Sequence, residues 1–159
     1  MTPAITAAKR AAIEFHVHEY AHDPSVSAYA DEAATALGLD PSRVFKTLVV
    51  TLNADSKRLA VAIVPAAQRL DLKALATELD AKKAEMALPA DAERATGYVV
   101  GGISPLAQRK RLPTVLDQSA ERFETIFVSA GRRGLEIELR PEDLVRLCAA
   151  QIGPVARER

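Results

Sequence analysis

Residues 44–50 read VFKTLVV and have the length and composition of a buried strand with a lysine in its middle. Because alternate residues of a strand point to the same face, Lys46 shares a face with the apolar Leu48 and Val50. An unpaired ammonium among apolar side chains is costly, so we expect an anionic or carbonyl partner for Lys46. The stretch therefore predicts a pocket beside the strand rather than a plain core.

A second candidate segment is residues 97–105, which read GYVVGGISP. Its three glycines open the backbone beside a predicted strand and make N–H donors available to a small ligand. Their spacing does not fit a dinucleotide-binding loop. The glycines can equally serve only to relieve crowding in a bent strand, and both interpretations stay open.

Length and charge set the outer bounds. The 159 residues suit one ordinary domain, and the 21 basic and 21 acidic residues cancel, which gives no indication of DNA or membrane binding. Cys148 is the only cysteine and cannot form an internal disulfide, and no signal peptide or membrane-spanning run is seen, so we expect a cytoplasmic protein. Basic residues gather late in the chain and suit either a phosphate-binding patch or a solvated face: Arg109, Lys110, Arg111, Arg122, Arg132 and Arg133.

Helical and strand patterns alternate along the chain. The helical patterns cover residues 4–15, 28–37, 72–79 and 141–149. The strand patterns cover residues 16–20, 44–50, 59–64, 98–100, 114–116, 125–129 and 135–139. This order predicts an α/β fold in one domain, with a curved, mixed but mainly antiparallel sheet that forms a barrel-like cleft and helices packed outside.

Conventional catalytic groups are scarce. The spacing of His16, His18 and His22 could suit a metal, but an edge strand readily carries solvated histidines, and we favour that interpretation. Cys148 lies on an apolar helix face with nothing nearby to lower its pKa, which favours packing over nucleophilic attack. No nucleophile elbow or Walker loop occurs, so we expect no metal and no cofactor. Any catalysis must use backbone donors, one lysine and hydroxyls, for which Ser104 and Ser129 are candidates unless they only cap turns.

Five motifs in order resemble the YbaK family of bacterial Cys-tRNA(Pro) deacylases. They are EYAHDP at 19–24, VFKTL at 44–48, TGYVVGGISP at 96–105, KRLP at 110–113 and VSAGRRGLEI at 128–137. The family is similar to the editing domain inserted in bacterial prolyl-tRNA synthetases. The resemblance covers essentially the whole chain and implies a single editing domain over residues 1–159.

The resemblance implies a trans-acting deacylase that removes cysteine from tRNA(Pro), with Cys-tRNA(Cys) as a further candidate substrate. Its implied partners are the 3′ CCA end of aminoacylated tRNA and prolyl-tRNA synthetase, without DNA, membrane or cofactor. Lys46 and Gly101 match the family's catalytic positions, and its substrate-binding positions fall on Tyr20, Tyr29, Thr47, Ser129 and Glu136. Two of these depart from the family pattern, because the family usually has phenylalanine at Tyr29 and aspartate at Glu136.

The implied mechanism explains why no protein nucleophile is evident: the thiol of the cysteinyl group attacks its own carbonyl while the protein folds the substrate and stabilises the oxyanion. Lys46 would stabilise charge near the carbonyl or the terminal nucleotide, and the Gly101 amide would face the carbonyl. The structural alternative for Lys46 is an ion pair, with Glu136 as the candidate partner. Two functional alternatives stay open: an editing hydrolase for another small amino acid such as alanine, and a non-catalytic module that binds the tRNA 3′ end or a synthetase.

Overall fold

The VFKTLVV run lies in a long central strand of the computed structural model, which describes residues 1–159. Five α-helices surround the strands: α1 (Pro3–Arg10), α2 (Tyr29–Leu37), α3 (Leu72–Glu78), α4 (Pro89–Thr96) and α5 (Pro141–Cys148). Ten strands follow the order β1 (Phe15–Glu19), β2 (Phe45–Leu52), β3 (Asp55–Pro65), β4 (Gln68–Leu70), β5 (Ala84–Met86), β6 (Thr114–Asp117), β7 (Ile126–Arg132), β8 (Leu135–Leu139), β9 (Gln151–Gly153) and β10 (Ala156–Glu158). A 3₁₀ helix covers Gln118–Arg122.

The strands form three sheets. The largest has the order β5-β2-β3-β6-β9, with β2 antiparallel to β3 and β5 and with parallel pairing of β3 to β6 and of β6 to β9. A second, antiparallel sheet has the order β1-β8-β7, and β4 pairs antiparallel with β10. The two larger sheets meet at one parallel bridge between Val44 and Phe127. The fold is therefore mixed α/β with mostly antiparallel pairing, as the sequence predicts.

The large sheet is buried on both faces, which explains the nearly continuous apolar runs of β2 and β3. Phe45, Val49 and Ile63 belong to the core cluster that α1, β7 and β8 complete. Val50 and Ala62 point the other way, into a second cluster beneath α3. Each fully buried aliphatic side chain contributes roughly 1.5–3 kcal/mol.

Local sequence signals begin and end several helices. The Thr2 side chain accepts a hydrogen bond from the Ile5 N–H and Pro3 opens α1, while Asp71 caps α3 in the same way through the Ala74 N–H. Gly38 ends α2 with φ of 65°, a left-handed conformation that favours glycine. None of the helices is long and apolar enough to cross a membrane.

Two sequence predictions about elements are wrong, and one helix was not predicted. The first helix ends at Arg10 rather than at residue 15, because Phe15 pairs with Leu139 in β1 and β8. Residues 98–100 form no strand: Gly97 turns the chain at φ of 81°, and the Tyr98 hydroxyl donates to the Leu106 carbonyl at 2.6 Å. Helix α4 has no counterpart in the sequence prediction.

The strands divide into three sheets and close no barrel, so the predicted barrel-like cleft formed by one curved sheet is not confirmed. The two larger sheets stay separate because they are joined only at the Val44–Phe127 bridge, just before β2, and β2 itself does not pair with β7. Side chains of both strands line a cavity there.

Candidate active site

A cavity of about 430 Å³ lies beside β2, within the range of small-molecule sites. Its walls come from β2, the β7–β8 hairpin, the start of α2, the start of α4 and the 97–105 segment. The cavity brings together all seven predicted site residues: Tyr20, Tyr29, Lys46, Thr47, Gly101, Ser129 and Glu136. This placement is geometric, and the chemical roles of these residues remain predictions.

Lys46 lies half-buried in β2, and its Nζ donates to the backbone carbonyl of Gln68 at 2.9 Å. The carbonyl partner expected from the strand pattern is therefore present, whereas the Glu136 ion pair is not among the salt bridges of the chain. Burial lowers the pKa of Lys46, and the positive charge of Arg159 acts in the same direction, while the Asp31 carboxylate opposes both. An ammonium in this position retains donors for a ligand.

Thr47 follows Lys46 and points to the opposite face of β2. Its Oγ1 is buried and has no hydrogen-bond partner in the chain. A buried hydroxyl without a partner costs roughly 1–3 kcal/mol, so its persistence in a cavity wall suits a polar ligand.

Gly101 occupies a position where only glycine fits. Its φ is 91°, and an added Cβ would lie 2.6 Å from Arg133 Nε and 2.8 Å from the Tyr29 ring. The Gly101 N–H donates to no backbone carbonyl and so remains an available donor in the cavity wall. Gly102 fits the alternative interpretation, because an added Cβ would lie 2.6 Å from Arg132 Cα.

Glu136 lies opposite Ser129 in the β7–β8 pairing and is 6% exposed. Burial raises the pKa of Glu136 to about 8, so the carboxyl is largely neutral near pH 7 and can donate a hydrogen bond. Tyr20 follows β1, and its N–H donates to the Gly134 carbonyl at 3.0 Å. Burial, and secondly the Glu136 charge, raise the pKa of Tyr20. This wall therefore offers neutral hydroxyl and carboxyl groups next to the cation of Lys46.

The two serine candidates separate. Ser129 lines the cavity and accepts the Gly131 N–H at 3.2 Å, which is a turn-capping contact, while its hydrogen bond to a ligand stays a prediction. Ser104 is fully buried outside the cavity and accepts the Leu106 N–H at 3.2 Å, which is a turn-capping role.

The other candidate groups lie outside the cavity. His18 Nε2 lies 3.0 Å from Glu138 Oε1, and His22 Nδ1 lies 2.7 Å from Glu32 Oε1, so the two imidazoles face different carboxylates. Cys148 packs against the main core, and burial raises its pKa to about 12, which agrees with the packing role predicted for it.

Sequence reasoning missed several cavity residues. Asp31 and Arg159 lie near Lys46 and form an ion pair with Nη2 and Oδ2 2.7 Å apart. Met86 and Pro89 supply apolar surface from the start of α4 and the preceding strand. No local pattern could have indicated them, since each reaches the cavity through tertiary packing.

Comparison with known proteins shows the family of the chain. The aminoacyl-tRNA editing domain family matches residues 23–147. EbsC of Enterococcus faecalis, which carries the provisional name Cys-tRNA(Pro)/Cys-tRNA(Cys) deacylase, is 42% identical over 126 residues, or 79% of this chain and 76% of EbsC. The multifunctional Ser/Thr-tRNA deacylase ProXp-y of Escherichia coli is 32% identical over 93 residues, which cover 58% of this chain and 56% of ProXp-y.

A solved structure with the provisional description of a trans-editing enzyme for prolyl-tRNA synthetase has a TM-score of 0.83 at 23% identity, and the match covers 99% of each chain. At that identity the likeness concerns the fold. Both relatives are named as aminoacyl-tRNA deacylases, in agreement with the prediction of an enzyme that acts on an aminoacyl ester. With the family match over most of its length, the chain belongs to the aminoacyl-tRNA editing domain family.

Proposed function

We propose that this chain is a trans-acting deacylase that removes cysteine from tRNA(Pro), with Cys-tRNA(Cys) as a second substrate. The observation that carries the proposal is a cavity whose wall holds both the Lys46 ammonium and the Gly101 amide, and whose lining contains neither a cysteine nor a histidine that could activate a serine. The 42% identity to EbsC supports the choice of cysteine.

The need for such an enzyme follows from size. A synthetase pocket distinguishes substrates that differ by about one methylene by only about 1–3 kcal/mol, so proline and cysteine are poorly separated in the first binding step. A second site that destroys the wrong ester supplies the remaining discrimination. We propose that residues 1–159 act as one such domain in the cytoplasm, on the 3′ CCA end and alongside prolyl-tRNA synthetase.

In the proposed reaction the cysteinyl thiol loses its proton and its sulfur attacks the ester carbonyl carbon. The Gly101 N–H and Lys46 stabilise the oxyanion, and Tyr20, Tyr29, Thr47, Ser129 and Glu136 hold the aminoacyl adenosine. The bond from the carbonyl carbon to the ribose oxygen then breaks, and that oxygen takes a proton. The product is a cyclic thioester, which water opens to free cysteine.

The relationship to ProXp-y favours a second candidate, in which the cavity accepts serine, threonine or alanine esters and a bound water is the nucleophile. A third candidate is a module that binds the tRNA 3′ end or a synthetase without chemistry. The three candidates differ in which amino acid they release from tRNA, and the third releases none.

The test is single-turnover deacylation of cysteinyl-, seryl- and alanyl-tRNA(Pro) by the purified chain. We expect fast release of cysteine and much slower release of serine, because a hydroxyl is far less ionised and less nucleophilic than a thiol near pH 7. Comparable rates for cysteine and serine would overturn the thiol mechanism and indicate a bound water. If no amino acid is released from any of the three substrates, the result would favour the non-catalytic module that binds the tRNA 3′ end or a synthetase.

The matched variants are Lys46→Ala and Lys57→Ala, since Lys57 is an exposed lysine on β3 outside the cavity. Loss of one electrostatic donor should slow deacylation by about tenfold to a thousandfold in Lys46→Ala and leave Lys57→Ala at the wild-type rate. Lys46→Arg should also be impaired, because a planar guanidinium does not reproduce a compact ammonium. Full activity of Lys46→Ala would reduce Lys46 to a structural residue.

A further inference from the structure

Arg133 lies on the turn between β7 and β8 and bonds to the 97–105 segment through two donors. Its Nε and Nη2 donate to the Val100 carbonyl at 3.0 and 2.6 Å. The guanidinium also covers the Tyr29 ring, with Cζ 4.8 Å from the ring centroid. One side chain thus ties together the hairpin turn, the 97–105 segment and the start of α2.

The bonded carbonyl belongs to the peptide unit whose N–H is that of Gly101. A peptide unit is planar, so a fork that holds the Val100 oxygen also fixes the direction of the Gly101 N–H. A cation on the carbonyl oxygen further polarises the unit and strengthens its N–H as a donor. The Gly101 contacts agree with this tight arrangement, because an added Cβ would touch both Arg133 and Tyr29.

We propose that Arg133 is a positioning residue, which aims and polarises the Gly101 amide toward the ester carbonyl in the cavity. The inference rests on the proposed function for its catalytic consequence and on the geometry alone for the clamp. The planar fork explains arginine at this position, since lysine offers neither two parallel donors nor a flat surface for the Tyr29 ring. A phenylalanine ring at Tyr29 would serve the same stacking, which accounts for the tolerance of tyrosine there.

The competing role for an exposed arginine at a cavity mouth is direct contact with a tRNA phosphate. Such a contact would act on binding, and its loss would weaken affinity and its dependence on salt. A positioning role acts on the transition state, and its loss lowers the rate of the bound complex. The two roles therefore differ in the constant that changes.

The experiment compares Arg133→Ala and Arg133→Lys with the control variant Arg132→Ala. Arg132 precedes Arg133 in the chain, and its exposed side chain makes no hydrogen bond or ion pair. For cysteinyl-tRNA(Pro), we expect the single-turnover rate at saturation to fall about tenfold to a hundredfold in both Arg133 variants, as for a small displacement of a catalytic group, with nearly unchanged affinity. Arg132→Ala should retain the wild-type rate. Weaker affinity with an unchanged saturated rate would overturn the proposal in favour of a phosphate contact.

A second measurement is independent of the substrate. Amide hydrogen exchange at Gly102, whose N–H donates to the Val99 carbonyl at 2.8 Å within the same segment, should accelerate in Arg133→Ala and stay at the wild-type rate in Arg132→Ala, while the melting temperatures remain similar. Unchanged exchange in Arg133→Ala would overturn the clamp. If the wild-type chain releases no amino acid, the proposed function fails, whereas the exchange measurement still decides whether Arg133 holds the peptide.

Discussion

At the residue scale, Thr47 stands out in the cavity wall because its hydroxyl is buried and has no hydrogen-bond partner. Because Oγ1 is buried without a partner, Thr47→Val removes an unsatisfied group and keeps the side-chain shape. We expect the free energy of unfolding to rise by about 1–2 kcal/mol and deacylation to slow. The measurements are urea unfolding and single-turnover kinetics.

Thr51→Val is the matched control on the same strand, since the Thr51 hydroxyl is exposed and donates to the Glu85 carbonyl at 3.5 Å. It should bring no gain in stability and no loss of activity. A loss of stability in Thr47→Val would mean that the hydroxyl has a partner in solution, contrary to the structure.

Glu136 predicts a pH dependence of stability. Its pKa is about 8 in the folded chain against 4.5 without burial, so between these values the folded state binds a proton that the unfolded state has lost. Stability should therefore be greatest near pH 4.5 and fall as pH rises toward about 8, by as much as a few kcal/mol. Glu136→Gln should remove this decline, as measured by denaturant unfolding at several pH values. A wild-type free energy of unfolding that does not change over this range would contradict the assignment.

Single residues also mark how far the sequence could predict the site. Lys46 gives a signal in its own strand, because a charge among alternating apolar residues needs an explanation. The remaining predicted positions came from the order of motifs, and the fold brings them to the same cavity. Asp31, Arg133 and Arg159 gave no such signal, since their contacts join segments far apart in the chain.

At the scale of elements, prediction succeeded where the sequence itself contains residues that begin or end a helix. Asp71 and Gly38 mark helix ends by capping and by a left-handed residue, and these ends agree with the helical patterns predicted over residues 72–79 and 28–37. The failures lie where tertiary contacts override local pattern: Phe15 continues a helical pattern but pairs in a sheet, and Tyr98 has strand composition but anchors a loop.

Asp117 at the end of β6 accepts backbone N–H groups with its carboxylate, as a helix-capping residue does, but from two different segments of the chain. It is 4% exposed, and Oδ1 accepts the N–H groups of Val155 and Ala156, each at 3.0 Å, while Oδ2 accepts from Ser119. The segment that it holds leads into β10, which pairs with β4, and Gln68 of β4 supplies the carbonyl that binds Lys46. The carboxylate therefore supports the position of the Lys46 side chain through two strands.

Asp117→Ala should lower the free energy of unfolding by about 3 kcal/mol, because it leaves buried N–H groups without an acceptor. Deacylation should slow as well, since the Gln68 carbonyl loses its support. Glu121→Ala, an exposed carboxylate on the adjacent 3₁₀ helix, is the control and should match wild type in both measurements. Wild-type stability of Asp117→Ala would refute the bracing role.

For the whole molecule, the proposed mechanism requires that no side chain of the chain attack the ester. Cys148 is the only thiol; its Sγ donates to the Pro105 carbonyl at 3.2 Å, and neither residue lines the cavity. Cys148→Ser should leave deacylation nearly unchanged, because the group neither lines the cavity nor ionises readily. The check is kinetics with circular dichroism as the control for folding. Loss of activity in a folded Cys148→Ser protein would make Cys148 a participant.

The bridge between Val44 and Phe127 is the single point at which the backbones of the two large sheets are paired. Next to that bridge, the gap between β2 and β7 is bordered by side chains rather than by a ladder of backbone hydrogen bonds. A larger or smaller side chain can therefore reshape the gap while every strand keeps its partners. This arrangement is compatible with relatives whose names give different amino acids, cysteine for EbsC and serine or threonine for ProXp-y, sharing one order of strands.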